Sequence, residues 1–306
     1  FKPLTRTGTG TIVTVTGVGF PIDLAISHSR AAYGDGFEDR LRGANKGLTP
    51  GGDQVPNTGT SAEYSFTDTV NGFDVMDGFT LGADASSAVW NNSLTYVYWL
   101  MRRAPKFFDE VCYTGTGAGT TFSHNLGVAP ELMIMKVRNV GLGWGVYTAT
   151  YGPTYHLVLN TTAAVVGPGS TLWNSTAPTA SVFSVGTASL TNTSGNLYVA
   201  YLFATCAGVS KVGSYSGTGA TQTISCGFTG GARFVLIKRT DTTGDWYVWD
   251  TARGMTSGTD PYLLLNSTAA EVNANNVYTA TGGFQIVGTG AGINASGGTY
   301  IYLAIA

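Results

Sequence analysis

The chain has 306 residues, of which 43% are hydrophobic and only 11% charged, with a formal net charge of −2. An average globular protein carries about 25% charged residues; here 43 glycines together with Ser, Thr and Asn fill the gap. This balance leaves no electrostatic footprint for nucleic acid or an anionic membrane, and no apolar run is long enough for a helix to span a bilayer.

In chain order, the first unit opens at Arg6-Thr7-Gly8-Thr9-Gly10 and closes on Leu94-Thr95-Tyr96-Val97-Tyr98-Trp99. The second opens at Tyr113-Thr114-Gly115-Thr116-Gly117 and closes on Leu197-Tyr198-Val199-Ala200-Tyr201-Leu202. The third opens at Tyr215-Ser216-Gly217-Thr218-Gly219 and closes on Thr299-Tyr300-Ile301-Tyr302-Leu303. Tyr96, Tyr198 and Tyr300 are 102 residues apart in both steps, and the joint to the next opening glycine is 19 residues both times. The first unit carries five extra residues, expected within residues 43–60, where Leu48-Thr49-Pro50-Gly51-Gly52-Asp53 reads as a surface turn. Solenoid units repeat every ~20–50 residues. A longer period lets each unit hold its own core, so the expectation is three tandem domains in a row, 1–104, 105–207 and 208–306.

The third copy shows the strands most clearly. Thr221-Gln222-Thr223-Ile224-Ser225-Cys226 alternates with period two, and Arg233-Phe234-Val235-Leu236-Ile237-Lys238-Arg239 is a buried run with basic ends. Trp246-Tyr247-Val248-Trp249-Asp250, Tyr262-Leu263-Leu264-Leu265-Asn266 and Gly283-Phe284-Gln285-Ile286-Val287 follow. Short Val/Ile/Thr/aromatic strands between Gly and Asn turns predict an all-β chain of jelly-roll-like β-sandwich modules, each about 100 residues. One helical turn is expected at Ser267-Thr268-Ala269-Ala270-Glu271. The second copy keeps this order, with Leu132–Lys136, Trp144–Tyr147 and Leu157–Ala164 answering the third. The first copy loses the Leu-rich strand before Thr60-Ser61-Ala62-Glu63.

Chemistry is sparse. Residues 111–207 hold one carboxylate, Glu131, so this stretch cannot alone supply the carboxyl pair that glycoside hydrolysis needs. The first module holds ten, including Asp35, Glu38 and Asp39, which leaves room for a site there or between modules; no enzyme and no cofactor is expected. Cys112, Cys206 and Cys226 are odd in number and unpatterned, which argues for buried thiols over disulfides or zinc. His28, His124 and His156 are too scattered for a metal site. Asp241 and Asp245 flank a turn that could offer oxygens to calcium, but turn aspartates usually bond their own backbone. No metal site is assigned. Asp39-x-x-Arg42 matches Asp250-x-x-Arg253. An Arg clamp on an anion is one reading; a structural pair fastening a strand end to its turn is preferred, because the second copy has Thr148 and Tyr151 instead. The Gly-Thr-Gly elements lack the Lys-Ser/Thr end of a phosphate loop and read as opening turns.

Trp144, Tyr247 and Trp249 are the candidate ligand contacts, as a platform for a host glycan. Alternation sends Trp246 and Val248 to one face and Tyr247 and Trp249 to the other; one face must be core, and the other is either a subunit contact or a ligand platform. Asn-x-Ser/Thr sequences occur at Asn91, Asn160, Asn174, Asn192, Asn266 and Asn294; most fall in repeat-equivalent turns, so turn geometry explains them without glycosylation. The closing strands 96–101 and 198–203 are apolar on both faces and want cover on both sides, from a neighbouring module or from another copy of the chain. The chain begins at Phe1 without a methionine or a signal-peptide pattern and reads as a processed or trimmed piece.

The Tyr-Thr-Gly-Thr-Gly openings, the run Asn125-Leu126-Gly127-Val128-Ala129-Pro130-Glu131-Leu132-Met133-Ile134-Met135-Lys136, the run from Arg233 to Asp241, and Asn294-Ala295-Ser296-Gly297-Gly298-Thr299-Tyr300-Ile301 resemble a tandem module of tailed-bacteriophage virion proteins, fibre-like or tail-associated. The resemblance covers all three repeats, most closely the second and third. It implies a place in the virion, other virion proteins as partners, and homotrimeric assembly; it brings no catalytic motif. The leading expectation is therefore a non-enzymatic fibre or tail-fibre adhesin. The alternative is a capsid-decorating or head-fibre protein with a purely structural role.

Overall fold

The computed structural model describes residues 1–51, 59–65, 69–83, 89–258 and 260–306. Among these the chain is all-β with antiparallel pairing, and helix is confined to two short turns, Ser189–Asn192 and Ala291–Asn294. Residues 267–271, expected to form a helical turn, are irregular with no helix, and the Glu271 N–H donates to the Arg30 carbonyl at 3.0 Å.

Three large sheets carry the repeat. The first places its strands in the order Lys2–Thr7, Thr95–Met101, Leu24–Ser29, Asp35–Asp39. The second runs Phe108–Thr114, Leu197–Phe203, Leu132–Val137, Trp144–Thr148, Leu157–Val158. The third runs Ser210–Ser216, Thr299–Ile305, Phe234–Arg239, Trp246–Asp250, Leu263–Leu264. Registers match across copies: Ile26, Ile134 and Leu236 pair with Trp99, Tyr201 and Leu303. In the first sheet the fifth strand shrinks to a single bridge, Phe37 to Leu48, where Val146 meets Leu157 and Val248 meets Leu263 in the others. Leu48 thus stands for the Leu-rich strand read as lost. It is buried with Thr49 and Pro50, so the surface turn expected there is corrected; Gly52, Asp53 and much of the expected insertion lie outside the described residues.

The closing strands alternate apolar side chains to two faces, and each face finds different cover. Outward, each large sheet packs on a small one: Val13–Val15, Phe79–Leu81 and Val70–Gly72; Thr120–Ser123 and Val182–Val185; Gln222–Ser225, Gly283–Ile286 and Val277–Ala280. The last of these strands was not foreseen. Tyr198, Ala200 and Leu202 meet Phe183 and Val185 in one such local core. Inward, Val97, Trp99 and Met101, then Val199, Tyr201 and Phe203, then Ile301, Leu303 and Ile305 join a single cluster.

That shared cluster is about twice the size of any local core. Each repeat keeps a local core of its own and also gives strands to the shared cluster. Three sandwiches close around one common apolar core, because a strand apolar on both faces must be covered twice. The other modules of the same chain supply the second cover, so these strands need no second copy.

The repeated opening turns share one geometry. The backbone N–H groups of Thr9, Thr116 and Thr218 donate to the side-chain carbonyls of Asn91, Asn192 and Asn294 at 3.1, 2.7 and 2.9 Å. The same amides donate to Gly82, Gly186 and Gly288. A Cβ on Gly8, Gly115 or Gly217 would stand 1.8, 2.2 or 2.2 Å from a backbone carbonyl oxygen, which is why glycine recurs. Three of the Asn-x-Ser/Thr asparagines are therefore buried struts, and Asn160 and Asn266 accept from the Trp144 and Trp246 N–H groups at 2.9 and 2.8 Å.

Candidate functional site

The preferred structural pairs sit where modules meet. Arg42 Nε donates to Asp39, with both side chains fully enclosed. Across the first seam the Tyr201 hydroxyl donates to Asp39 at 2.8 Å, and Glu63 accepts from Arg42 at 3.0 Å and from Arg138 at 3.0 and 3.2 Å. Arg253 Nε donates to Asp250 at 2.6 Å, again fully enclosed. Across the seam from third module to first, Trp99 Nε1 donates to Asp250 at 2.8 Å, and Glu271 takes Arg30 at 2.9 and 2.6 Å and Arg253 at 3.3 Å. The middle seam replaces charge with hydroxyls: Tyr151 bonds Thr240 at 2.6 Å. The backbone joins the same equivalent positions in all three, from the N–H of Glu63, Val165 and Glu271 to the carbonyls of Arg138, Thr240 and Arg30.

A second set of equivalents closes the seams nearer the centre. Lys136 and Lys238 are buried and donate to Thr60 at 3.3 Å and to Thr162 at 3.0 Å, each a carbonyl of the preceding module. Burial pushes both ammonium groups down to about 8. His28 holds this position in the first module, with Nε2 at 3.2 Å from the Leu264 and Ser267 carbonyls. Burial is the main cause that lowers its pKa. Glu110, on the first seam, is a buried carboxyl with no hydrogen-bond partner on either oxygen among the described residues; burial, then Asp39, pushes its pKa well up.

The proposed aromatic platform does not face solvent. Trp144 is 0% exposed, packs in the shared core and donates Nε1 to Gly59 at 3.0 Å. Trp249 is 0% exposed in the third local core. Tyr247 is half-buried, stacked on Trp249 with ring centroids 5.8 Å apart. Both faces of the Trp246–Asp250 strand are core because sheet lies on each side, so the choice between core and platform resolves to core at Trp144 and Trp249. Asp241 forks with Arg239 at 2.9 Å on both oxygens, and Asp245 accepts from Asn266 at 2.9 Å. No cluster of metal-ligating side chains occurs among the described residues. Cys112, Cys206 and Cys226 are free thiols, and burial pushes Cys112 and Cys226 up to about 11.

Solvent-facing chemistry that sequence reasoning missed lies at the base of the first module. An open cleft of about 470 Å³ is lined by Pro21, Asp23, Arg40, Phe73, Asp74, Met76, Arg102 and Arg103. Arg40 Nε donates to Asp23 at 3.0 Å and its guanidinium lies 5.6 Å over the Phe73 ring. Arg103 Nε donates to Asp109 at 2.7 Å. The signal available in the sequence was the Arg102-Arg103 pair, in a chain with only 16 Lys and Arg.

A family model described as "Domain of unknown function (DUF7483)" matches residues 1–306. The chain belongs to this family. No curated protein matches it. In this DUF7483 chain the buried pairs Asp39–Arg42 and Asp250–Arg253 are seam elements out of reach of solvent, whereas the first-module cleft sets charged groups around an open, ligand-sized space. No helix among the described residues is long and apolar enough to cross a membrane.

Proposed function

We propose that this DUF7483 chain is a bacteriophage virion protein, a non-enzymatic fibre or tail-fibre adhesin that presents one side of a rigid block to a host surface glycan. The observation that carries the reading is the closed arrangement of three low-charge sandwiches around one core, in a sequence whose repeats resemble phage virion modules. Such a block keeps its shape outside a cell without a metal or a disulfide, and its surface is polar but nearly uncharged. The paired charges Asp39, Arg42, Asp250 and Arg253 serve the seams, and their side chains are fully enclosed. A homotrimer stays in the proposal through the resemblance alone, since the closing strands are covered inside the chain.

The test has two arms. Purified protein is incubated with host cells and host polysaccharide and the bound fraction measured; an adhesin is retained, and a purely structural capsid-decorating or head-fibre protein is not. Immunogold labelling or cryo-imaging of the virion then places it on the tail or the head. Release of reducing ends from the glycan would overturn the non-enzymatic assignment, and sedimentation separates trimer from monomer.

A further inference from the structure

The three copies act as controls for one another. Asp23, Glu131 and Arg233 are equivalent, each donating its backbone N–H to the end of its own closing strand at Met101, Phe203 or Ile305. Arg40, Ala149 and Thr251 are equivalent, each donating its N–H to the carbonyl of that first residue. Arg102 corresponds to Ala204 and Ala306, and Arg103 to Thr205, one and two positions past the same strand. The scaffold thus needs none of these arginines: the second module builds the same corner with Ala149, Ala204 and Thr205. Only the first module places three guanidiniums there, and only there do they line the 470 Å³ cleft.

The groups in that cleft are unequally occupied. Arg40 is held by Asp23 and by the Ile22 carbonyl at 2.6 Å, and Arg103 by Asp109. Arg102 and Asp74 are exposed and form no ion pair or hydrogen bond among the described residues. Met76 is 77% exposed beside them and adds an apolar side chain to the cleft lining. A free guanidinium recognises a carboxylate or phosphate. A free carboxylate accepts hydroxyl donors. An exposed thioether with Pro21 offers apolar contact to a ring face. A small set of convergent polar groups against apolar lining is the ordinary makeup of a ligand site. Another cleft, about 440 Å³ at the seam of third and first modules, has its arginine, Arg30, already forked onto Glu271.

We propose that the first-module cleft binds an acidic saccharide, with its anionic group on Arg102, its hydroxyls on Asp74 and its ring against Met76. This inference rests on the adhesin reading and names the chemistry of its ligand. A uronic acid and a sugar phosphate share that chemistry.

Isothermal titration of the full chain with oligogalacturonate, glucose 6-phosphate and neutral maltotetraose tests it. The expected result is binding of one or both acidic probes, weakening as salt rises, and none of the neutral one. Which acidic probe binds distinguishes carboxylate from phosphate recognition. Arg102→Glu is expected to weaken the bound probe at least tenfold, and Asp74→Asn to weaken it without changing the salt dependence. Both residues are exposed, and an unchanged thermal midpoint confirms that each variant is folded. Acidic binding unaffected by Arg102→Glu, equal binding of maltotetraose, or no acidic binding overturns the inference. If host cells retain the wild-type chain while no acidic probe binds, the cleft assignment fails and the adhesin reading stands. If acidic probes bind at the cleft but host cells do not retain the chain, the adhesin reading is what fails.

Discussion

Asp250 and Arg253 offer the sharpest perturbation, because the chain already contains their doubly substituted counterpart at Thr148 and Tyr151. Arg253 is fully enclosed: Nε reaches Asp250 at 2.6 Å, one terminal nitrogen the Val248 carbonyl at 2.9 Å, and the other Glu271 at 3.3 Å. Asp250 also accepts from the Arg253 N–H at 3.1 Å and from Trp99 Nε1 at 2.8 Å. Asp250→Ala strips the guanidinium of its nearest carboxylate and leaves three buried N–H donors, Arg253 N, Arg253 Nε and Trp99 Nε1, without that acceptor. Arg253→Ala leaves a buried carboxylate with only neutral donors. Removing one member of a buried pair costs about 3–5 kcal/mol, whereas replacing both can be close to neutral. The double variant Asp250→Thr/Arg253→Tyr is therefore expected to cost less than the sum of the two single changes, with a coupling of about 1–3 kcal/mol. Urea denaturation of wild type, Asp250→Thr, Arg253→Tyr and the double variant, followed by tryptophan fluorescence, gives the cycle. Additive single effects, or a single change costing under about 1 kcal/mol, would refute the pair as a unit that fastens the third module to the first.

Glu110 stands where the third module has Val212, opposite Tyr201 as Val212 is opposite Leu303. Its buried, unpartnered carboxyl makes Glu110→Leu stabilising by about 1–3 kcal/mol in thermal or urea unfolding; a destabilised variant would show that the carboxyl has a partner in solution. Gly217→Ala puts a methyl 2.2 Å from the Ala295 carbonyl oxygen, so a loss of about 1–3 kcal/mol is expected, against no change for Ala at the open position Gly230, where a Cβ meets nothing within 4 Å. Glu38 is held up to about 8, first by burial, against 4.5 when unfolded. The folded state then binds the extra proton between those values, so this contribution is full below pH 4.5 and is lost as pH rises through 8. Glu38→Gln should flatten the stability profile over that window by up to about 1.4 kcal/mol per pH unit; an unchanged slope removes Glu38 as its source.

Strand composition and the repeat spacing were legible because both are local or periodic. The run from Phe234 to Arg239 and the alternation at Trp246–Asp250 forced strands, and equal spacing gave equal registers. What was not legible was the meaning of the doubly apolar closing strands. Val97, Val199 and Ile301 can be covered by a neighbour in a row, by a second copy or by a closed ring, and a sequence carries no distance between modules. The same ambiguity misled the aromatic reading: Trp144 and Trp249 alternate to different faces, and only a structure with sheet on both sides makes both faces core. Asp39 and Arg42 were readable as a pair from their three-residue spacing, but not their partner Tyr201, which lies 162 residues away. The cleft escaped because its groups come from four separate segments around Asp23, Arg40, Phe73 and Arg102.

The closed ring also explains why the three seams differ. The first two join modules that follow one another directly in the chain. The last joins Arg30 to Glu271, 241 residues apart. It carries charged ties as the first seam does, with Glu271 bridging Arg30 and Arg253 while Trp99 reaches Asp250. Loop-closure entropy rises only as the logarithm of loop length, about 0.6 kcal/mol per doubling. The long separation therefore adds little to the cost of closure relative to a neighbouring seam. What closure secures is the third wall of the common core: without it Val97, Trp99 and Met101 and their counterparts Ile301, Leu303 and Ile305 would each face water. Burying one such side chain contributes about 1.5–3 kcal/mol, so even a few of them outweigh the extra loop entropy. The polar ties of the last seam fix which edge meets which, a choice that apolar contacts, being non-directional, leave open.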